Sequence, residues 1–395
     1  MRNLSQLFDK SVDISQADFL KKIPAKQGVL LIADEMQNCI QMITAANMRS
    51  RISNKLIENN QQANSEENGS TEPIDVKKNR RVDIRKIARL VFYHQTTSAF
   101  ETELFYLSAA YKIWQNAFKQ HIELKNIWFV SIDIPSKFPH FFKTKVPEFS
   151  LPVIGPFTTA SSADKFIDAI ADTFDLCRSI TCLRQSPNGG KCSYAQMNRC
   201  LSPSDGTISM SDYRKVLARA LDFAAGQRNL LKRSLSEKMK SAAANLNFEQ
   251  AAIFKTRLER LKDFDQPIFE HAAPIRDFKY LIIQPGAGKR QCRAFAVQNF
   301  NIHNLGAYKF PDDKIGEKLL AAASKILNCD SDIKKATPLD FMNISLVNKY
   351  LRVSKANKGL ILKFDQNLTS EKLANLINKN RSELKLSEVV KSVKK

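Results

Sequence analysis

"SLSEKMKSAAANLNFEQAAIFKTRLERLKDF", residues 234–264, reads as two short helices joined by a tight turn. Leu235, Met239, Ala242 and Leu246 recur at helical spacing on one face, and Ala251, Phe254, Leu258 and Leu261 on another. Asn247 stands where the second helix must begin, with Gln250 three residues on, the arrangement of a capping box. The small alanines let the two helices approach closely. A hairpin of this size buries too little to be stable alone. Its apolar stripe therefore docks either on its own chain or on a matching hairpin of a partner, and periodicity leaves both open.

Around this hairpin lies a chain of 395 residues, enough for two or three modest domains. It carries 61 Lys+Arg against 40 Asp+Glu, a formal net charge of +21. A surplus of that size favours a polyanionic partner, nucleic acid above all. No apolar run approaches the ~20 residues of a membrane span, and the start, "MRNLSQLFDKSVDIS", has no apolar signal core. A cytoplasmic location without a membrane partner is expected. Of seven cysteines, Cys39, Cys292 and Cys329 are scattered, whereas Cys177, Cys182, Cys192 and Cys200 are grouped. In a reducing compartment such a group suggests a metal before disulfides.

"KQGVLLIADEMQNCIQMIT" predicts two strands around a turn at Asp34 to Asn38, and "AANMRSRISNKLIE" a helix. "NNQQANSEENGSTEPIDVKKNRR" is polar and nearly without apolar residues, so disorder is expected there. Then follow a strand at "ARLVFYHQT", a helix at "SAFETELFYLSAAYKIWQNAF", and strands at "IWFVSID", "HFFKTKVP" and "FSLPVIGPF". "SSADKFIDAIADTF" predicts a helix with Ser162 as N-cap. A helical region begins near Ser211, breaks around Gly226 and resumes to Leu246. Beyond "DQPIFEHAAPIRD", three strands are expected from "FKYLIIQPGAGKRQCRAFAVQNFNIHNLGAYKF". "QPGAGKR" reads there as a hairpin loop, because the phosphate-loop pattern ending in Gly-Lys-Ser/Thr is incomplete. Helices follow at "KIGEKLLAAASKILN" and near "SEKLANLINK".

The hairpin resembles the UVR motif shared by UvrB and UvrC of bacterial nucleotide excision repair, in "EKM", the alanine pair, "NLNFEQAA" and "RLERL". The preceding "CSYAQMNRCLSPSDGTISMSDYRKVLARALDFAAGQRNLLKRSLSEKM" looks like the segment leading into that motif in UvrC-type proteins. Farther upstream, "FPHFFKTKVPEFSLPVIGPFTTASSADKFIDAIADTFDLC" resembles the stretch that joins their nuclease and cysteine segments. The order of elements matches from about residue 25 to 264.

The resemblance implies a GIY-YIG nuclease domain at the N-terminus. In that family two tyrosines, an arginine and a glutamate surround a divalent metal and an attacking water. Here "GVL" replaces Gly-Ile-Tyr and "QMI" replaces Tyr-Ile-Gly, so the two tyrosine positions hold Leu30 and Gln41. Asn47 and Arg51 keep the family pattern, and the expected glutamate falls at Ser108. Glu101 and Glu103 read as an exposed helix start. Leucine cannot activate water, and serine is a poor substitute for an anionic Mg²⁺ ligand. Mg²⁺ is therefore not expected at this site. Arg49, Arg51 and Lys55 share a helix that could hold nucleic acid. No carboxylate framework for the family's second, RNase H-like nuclease follows residue 275, and its helix-hairpin-helix motifs are not found.

UvrC-type proteins carry four cysteines that can hold an iron–sulfur cluster. Cys192 and Cys200 keep that spacing, but Ser204 occupies the fourth position. Cys177, Cys182, Cys192 and Cys200 would then supply four thiolates to an iron–sulfur cluster or to zinc. The expected fold is α+β. A lead at 1–24 precedes a small GIY-YIG-like mixed α/β domain at 25–115 with a disordered insert at 57–81. A strand-rich connecting region with a helix at 116–176, the cysteine segment at 177–206 and the helical region with the hairpin at 207–264 follow. A separate C-terminal α/β domain of unknown role spans 272–395. The resemblance implies a non-catalytic repair protein binding DNA and, through Leu246, Phe248, Ala251, Phe254 and Leu258, a UvrB-like protein. The alternatives are a metal-dependent endonuclease with a rebuilt or C-terminal active site, and an adaptor that offers its hairpin to a chaperone or protease.

Overall fold

A computed structural model describes residues 4–56, 84–226, 228–329, 336–353 and 359–386. The insert expected at 57–81 lies outside these residues. The first unit comprises β1 (Lys10–Asp13), α1 (Phe19–Lys22), β2 (Gly28–Ala33), β3 (Cys39–Ala45), α2 (Met48–Leu56), α3 (Ile84–Ile87), β4 (Leu90–Gln95) and α4 (Ala99–Trp114). Its strands form an antiparallel sheet in the order β1-β4-β2-β3. The lead is thus not separate, since β1 pairs with β4; only Val12 of that strand is buried, too short a pattern to read from sequence.

β2 is buried along its whole length because both its faces are covered. Leu30 and Ile32 lie with Met48 and Ile52 of α2, whereas Val29 and Leu31 join the central core. Gly28 permits the close approach of α2: a Cβ there would meet the His94 carbonyl oxygen at 2.2 Å and the Met48 sulfur at 2.6 Å.

The second unit comprises β5 (Trp128–Ile132), β6 (Phe141–Thr144), β7 (Val153–Phe157), α5 (Ala160–Phe174), α6 (Ile180–Leu183), α7 (Ser193–Gln196), α8 (Met210–Ala224), α9 (Arg228–Ala244), α10 (Phe248–Arg260) and β8 (Ala273–Pro274). After the hairpin formed by α9 and α10, the chain returns as β8 to complete the sheet β6-β5-β7-β8. The N-cap of α5 is Thr159, not Ser162. Ser162 is the third helical residue and bonds back to Thr159 in a reciprocal capping box. Phe157, Phe166, Phe223, Phe264 and Phe269 fill the core beneath.

The third unit comprises β9 (Tyr280–Pro285), β10 (Gln291–Gln298), β11 (Asn301–Lys309), α11 (Ile315–Leu327), α12 (Pro338–Arg352), β12 (Leu360–Lys363) and α13 (Ser370–Lys379). The expected hairpin loop joins β9 to β10 in the sheet β11-β10-β9-β12. α11 and α13 cover one sheet face, packing Leu319, Leu373 and Ile377 on Leu281 and Ile283.

The other face corrects the expectation of a separate domain. Tyr280, Ile282, Phe295 and Val297 share one core with Val29, Leu31 and Phe92 of the first sheet and Phe129 of the second. α12 lies among them, buried on nearly every side. No periodic stripe marks such a helix; its remaining sequence signal is the Thr337 cap with Pro338 and Asp340 after it. Glu101 and Glu103 are likewise not an exposed helix start. Glu101 forms an ion pair with Arg293, and Glu103 meets Lys349 Nζ at 2.6 Å and the Tyr350 hydroxyl at 3.1 Å.

Candidate functional site: hairpin, cysteine segment and nuclease position

At the positions where the GIY-YIG resemblance places tyrosines, β2 and β3 pair Leu30 with Ile43 and Ile32 with Gln41. Leu30 is fully buried under α2. The Gln41 side-chain oxygen accepts from Lys55 Nζ at 2.6 Å. Burial, and then the charge of Arg51, lowers the affinity of Lys55 for its proton. Asn47 serves the fold: its side chain accepts from the Ser50 amide at 3.1 Å and caps α2. Ser108 donates back to the Leu104 carbonyl at 3.1 Å within α4.

The expected basic face of Arg49, Arg51 and Lys55 divides. Positions 49 and 51 stand about 200° apart around a helix. Arg49 reaches the Ile23 carbonyl at 2.8 Å and that of Lys21 at 3.2 Å. Arg51 instead lines a cleft of ≈ 860 Å³ together with Gln41. The acidic residues of this cleft are Glu103, which Lys349 neutralises, and Glu123. Among the described residues no group of three or more His, Cys, Asp or Glu could hold a metal ion.

The cysteine segment is tied down by charge. Arg178 and Arg199 both pair with Asp172 near the end of α5, and the Arg178 guanidinium lies 4.8 Å from the centre of the Tyr194 ring. The fully buried Tyr213 hydroxyl accepts from the Cys177 amide at 3.0 Å. A hydrogen bond from the Cys200 thiol pulls Cys177 below the usual thiol range; the same bond, with burial, pushes Cys200 up. Cys192 and Cys182 are both close enough for their charge to act on Cys177. The thiols of this segment therefore lie near enough for charge on one to act on another. Ser204 is buried and donates to the Gly190 carbonyl at 3.2 Å, a loop contact in place of a ligand. Thiolate donors of this type suit a soft metal.

The two halves of the hairpin differ: the base packs on its own chain and the tip is exposed. Leu235 and Leu261 are buried, and Leu231, Phe254 and Leu258 pack on the core under α5 and α8. Two arginines clamp this base: Arg257 meets Asp175 at 3.0 Å and Arg260 meets it at 3.2 Å. Arg260 also donates to the Asp172 carbonyl at 2.6 Å, at the negative end of α5. Phe254 and Leu258 are therefore docked on their own chain, and Ala251 is half-buried. The distal half is bare, with Leu246 74%, Phe248 67% and Ile253 45% exposed. Leu246 does not continue the α9 face. It sits in the turn with φ 58°, a left-handed conformation unusual for leucine, held by the Asn247 amide bonding to the Ala242 carbonyl at 2.9 Å. Asn247 caps α10 through the Gln250 amide at 3.2 Å. Ile253 is missing from the partner contacts expected from sequence, because it lies off the stripe of Phe254 and Leu258.

The family model described as UvrC/Cho excinuclease, middle domain, matches residues 127–223, and the UvrB/uvrC motif matches 229–264. The UvrABC system protein C of Nautilia profundicola is 29% identical over 143 residues, 36% of this chain and 22% of its own. That of Rickettsia africae is 24% identical over 258 residues, 64% of this chain and 37% of its own. The chain thus spans between about a fifth and two fifths of these relatives' lengths. No solved structure matches.

Proposed function

From a chain that is UvrC-like in its middle domain and UVR motif, we propose a non-catalytic protein of bacterial-type nucleotide excision repair that joins DNA to a UvrB-like partner. The observation that carries the reading is the division of the hairpin. Its base is fixed to the molecule by the Asp175 clamp, while Leu246, Phe248 and Ile253 face outward unpartnered at its tip. A rigid root and an apolar tip suit docking against a second apolar-faced hairpin, closing a four-helix unit. Strained backbone at Leu246 is consistent with a contact site.

The absence of catalysis is supported at the family's nuclease position. Leu30 is sealed from solvent, Ser108 is bonded within its own helix, and Glu103 is neutralised by Lys349. Among the described residues no group of three or more His, Cys, Asp or Glu side chains is placed to hold the metal that helps hydrolyse a phosphodiester. Arg51 and Lys55 remain as candidates for phosphate contact, which positions DNA without reading its sequence. Such binding should weaken steeply with salt. Cys177, Cys182, Cys192 and Cys200 are the residues that would hold iron–sulfur or zinc. Its role there would be to brace the segment against α5, and iron and zinc analysis of anaerobically purified protein decides whether it is present.

The test is incubation with a lesion-containing duplex and Mg²⁺ or Mn²⁺, with and without a UvrB-like protein, following binding and cleavage in the same samples. Binding without cleavage is expected. Incision that disappears when one carboxylate of this chain is changed would overturn the reading.

A further inference from the structure

The cleft beside β3 and α4 is closed on its far side by the end of α12, so two distant parts of the sequence build its walls. Its volume of ≈ 860 Å³ suits a small-molecule site, which commonly spans roughly 300–1,000 Å³. Three features of its lining point to one kind of ligand.

The first is Asn348. Its side chain is 3% exposed, and its carboxamide oxygen has no hydrogen-bond partner. A buried acceptor left without a donor is costly to the fold. Asn348 lines the cleft, so a donor group on a ligand would satisfy it. The second is charge. Arg51, Lys125 and Arg352 bring cations to the cleft, and Arg51 and Lys125 pair with no carboxylate among the described residues. Lys349 and Glu103 cancel, which leaves Glu123 as the opposing charge. The third is a flat surface. The exposed His121 ring stacks on Trp114 with centroids 4.1 Å apart and planes 12° from parallel. His121 also lines the cleft.

We propose that this cleft binds a nucleotide: its phosphate against Arg51, Lys125 and Arg352, its base stacked toward His121 and donating a hydrogen bond to Asn348. Cations alone would accept any phosphate; the buried carboxamide and the stacked ring favour a ligand that joins a phosphate to a planar, hydrogen-bonding ring. The same chemistry is offered by a free nucleoside phosphate and by the phosphorylated end of a single strand. The proposal requires neither a hairpin partner nor the loss of nuclease activity.

The experiment is calorimetric titration of the full chain with a nucleoside 5′-monophosphate panel, a 5′-phosphorylated tetranucleotide and inorganic phosphate. It is repeated with Lys125→Ala, at an exposed position, and with Asn348→Leu, each checked for folding by thermal melting. Saturable one-to-one binding is expected, weakened about tenfold in each folded variant, with inorganic phosphate at least about a hundredfold weaker. Tighter binding of the mononucleotide identifies a free ligand, and tighter binding of the tetranucleotide a strand end. Absence of binding, equal binding of inorganic phosphate, or unchanged affinity in either folded variant overturns the proposal.

Discussion

Leu30 stands where the GIY-YIG resemblance implies a tyrosine. A tyrosine at this point of the GIY-YIG pattern would need access to water and phosphate; the leucine is fully buried against Met48 and Ile52. The Leu30→Tyr change should therefore overpack the sheet, costing about 1–3 kcal/mol in urea unfolding, and should yield no cleavage. Asp205 provides a pH signature in the cysteine segment. Bonds from Thr207 hold its carboxyl down from 3.8 to about 2. A depressed folded value means that the contribution is present above 3.8 and is lost as pH falls through about 2. Chemical-shift titration of the Thr207 amide should report that low midpoint, whereas a midpoint near the ordinary carboxylate value would mean the turn does not form.

The hairpin is the element whose halves behave differently. Phe248→Asp changes an exposed tip residue and should abolish capture of a UvrB-like protein while the melting temperature stays within a few degrees. Phe254→Asp places a charge against the core and should destabilise the hairpin base by about 2–4 kcal/mol. A Phe254→Asp protein as stable as the parent would show that the base is not docked. The clamp has its own test. Asp175→Ala leaves Arg257 and Arg260 without their carboxylate, a loss of about 1–3 kcal/mol for partly buried charge-assisted bonds. Hydrogen exchange should then rise across 228–264 and remain unchanged in the first sheet.

Over the whole molecule, the C-terminal third is part of the central core. Phe100 packs on Phe295 and Tyr350, and Phe129 on Phe300 and Phe341. A chain ending at residue 271 would expose these faces and lose the Glu101–Arg293 and Glu103–Lys349 pairs. Such a truncation is expected to aggregate; a soluble, cooperatively melting fragment would show that the shared core is dispensable. The nucleotide proposed for the cleft belongs to this scale as well, because Arg51 and Asn348 meet there only through the packing of α12.

Most elements were legible because their signals are local. "GVLLIA" is a continuous apolar strand, Gly226 and Asn247 mark helix boundaries, and "QPGAGKR" closes a hairpin. Leucine and glutamine at positions 30 and 41, where the resemblance implies tyrosines, were likewise plain from residue identity. α12 stayed hidden because a helix buried on nearly every side has too little polar face to give it a period. The same limit applies to the sites. The amino-acid order placed Leu246, Phe248, Phe254 and Leu258 on one hairpin, but which of them faces outward depends on Asp175, a residue remote in sequence. Sequence alone determined the family resemblance and the local elements, all properties of neighbouring residues. Only the tertiary structure decided which hairpin half is free, where the cations gather and what Glu101 and Glu103 do, because burial and charge pairing are set by residues far apart along the chain.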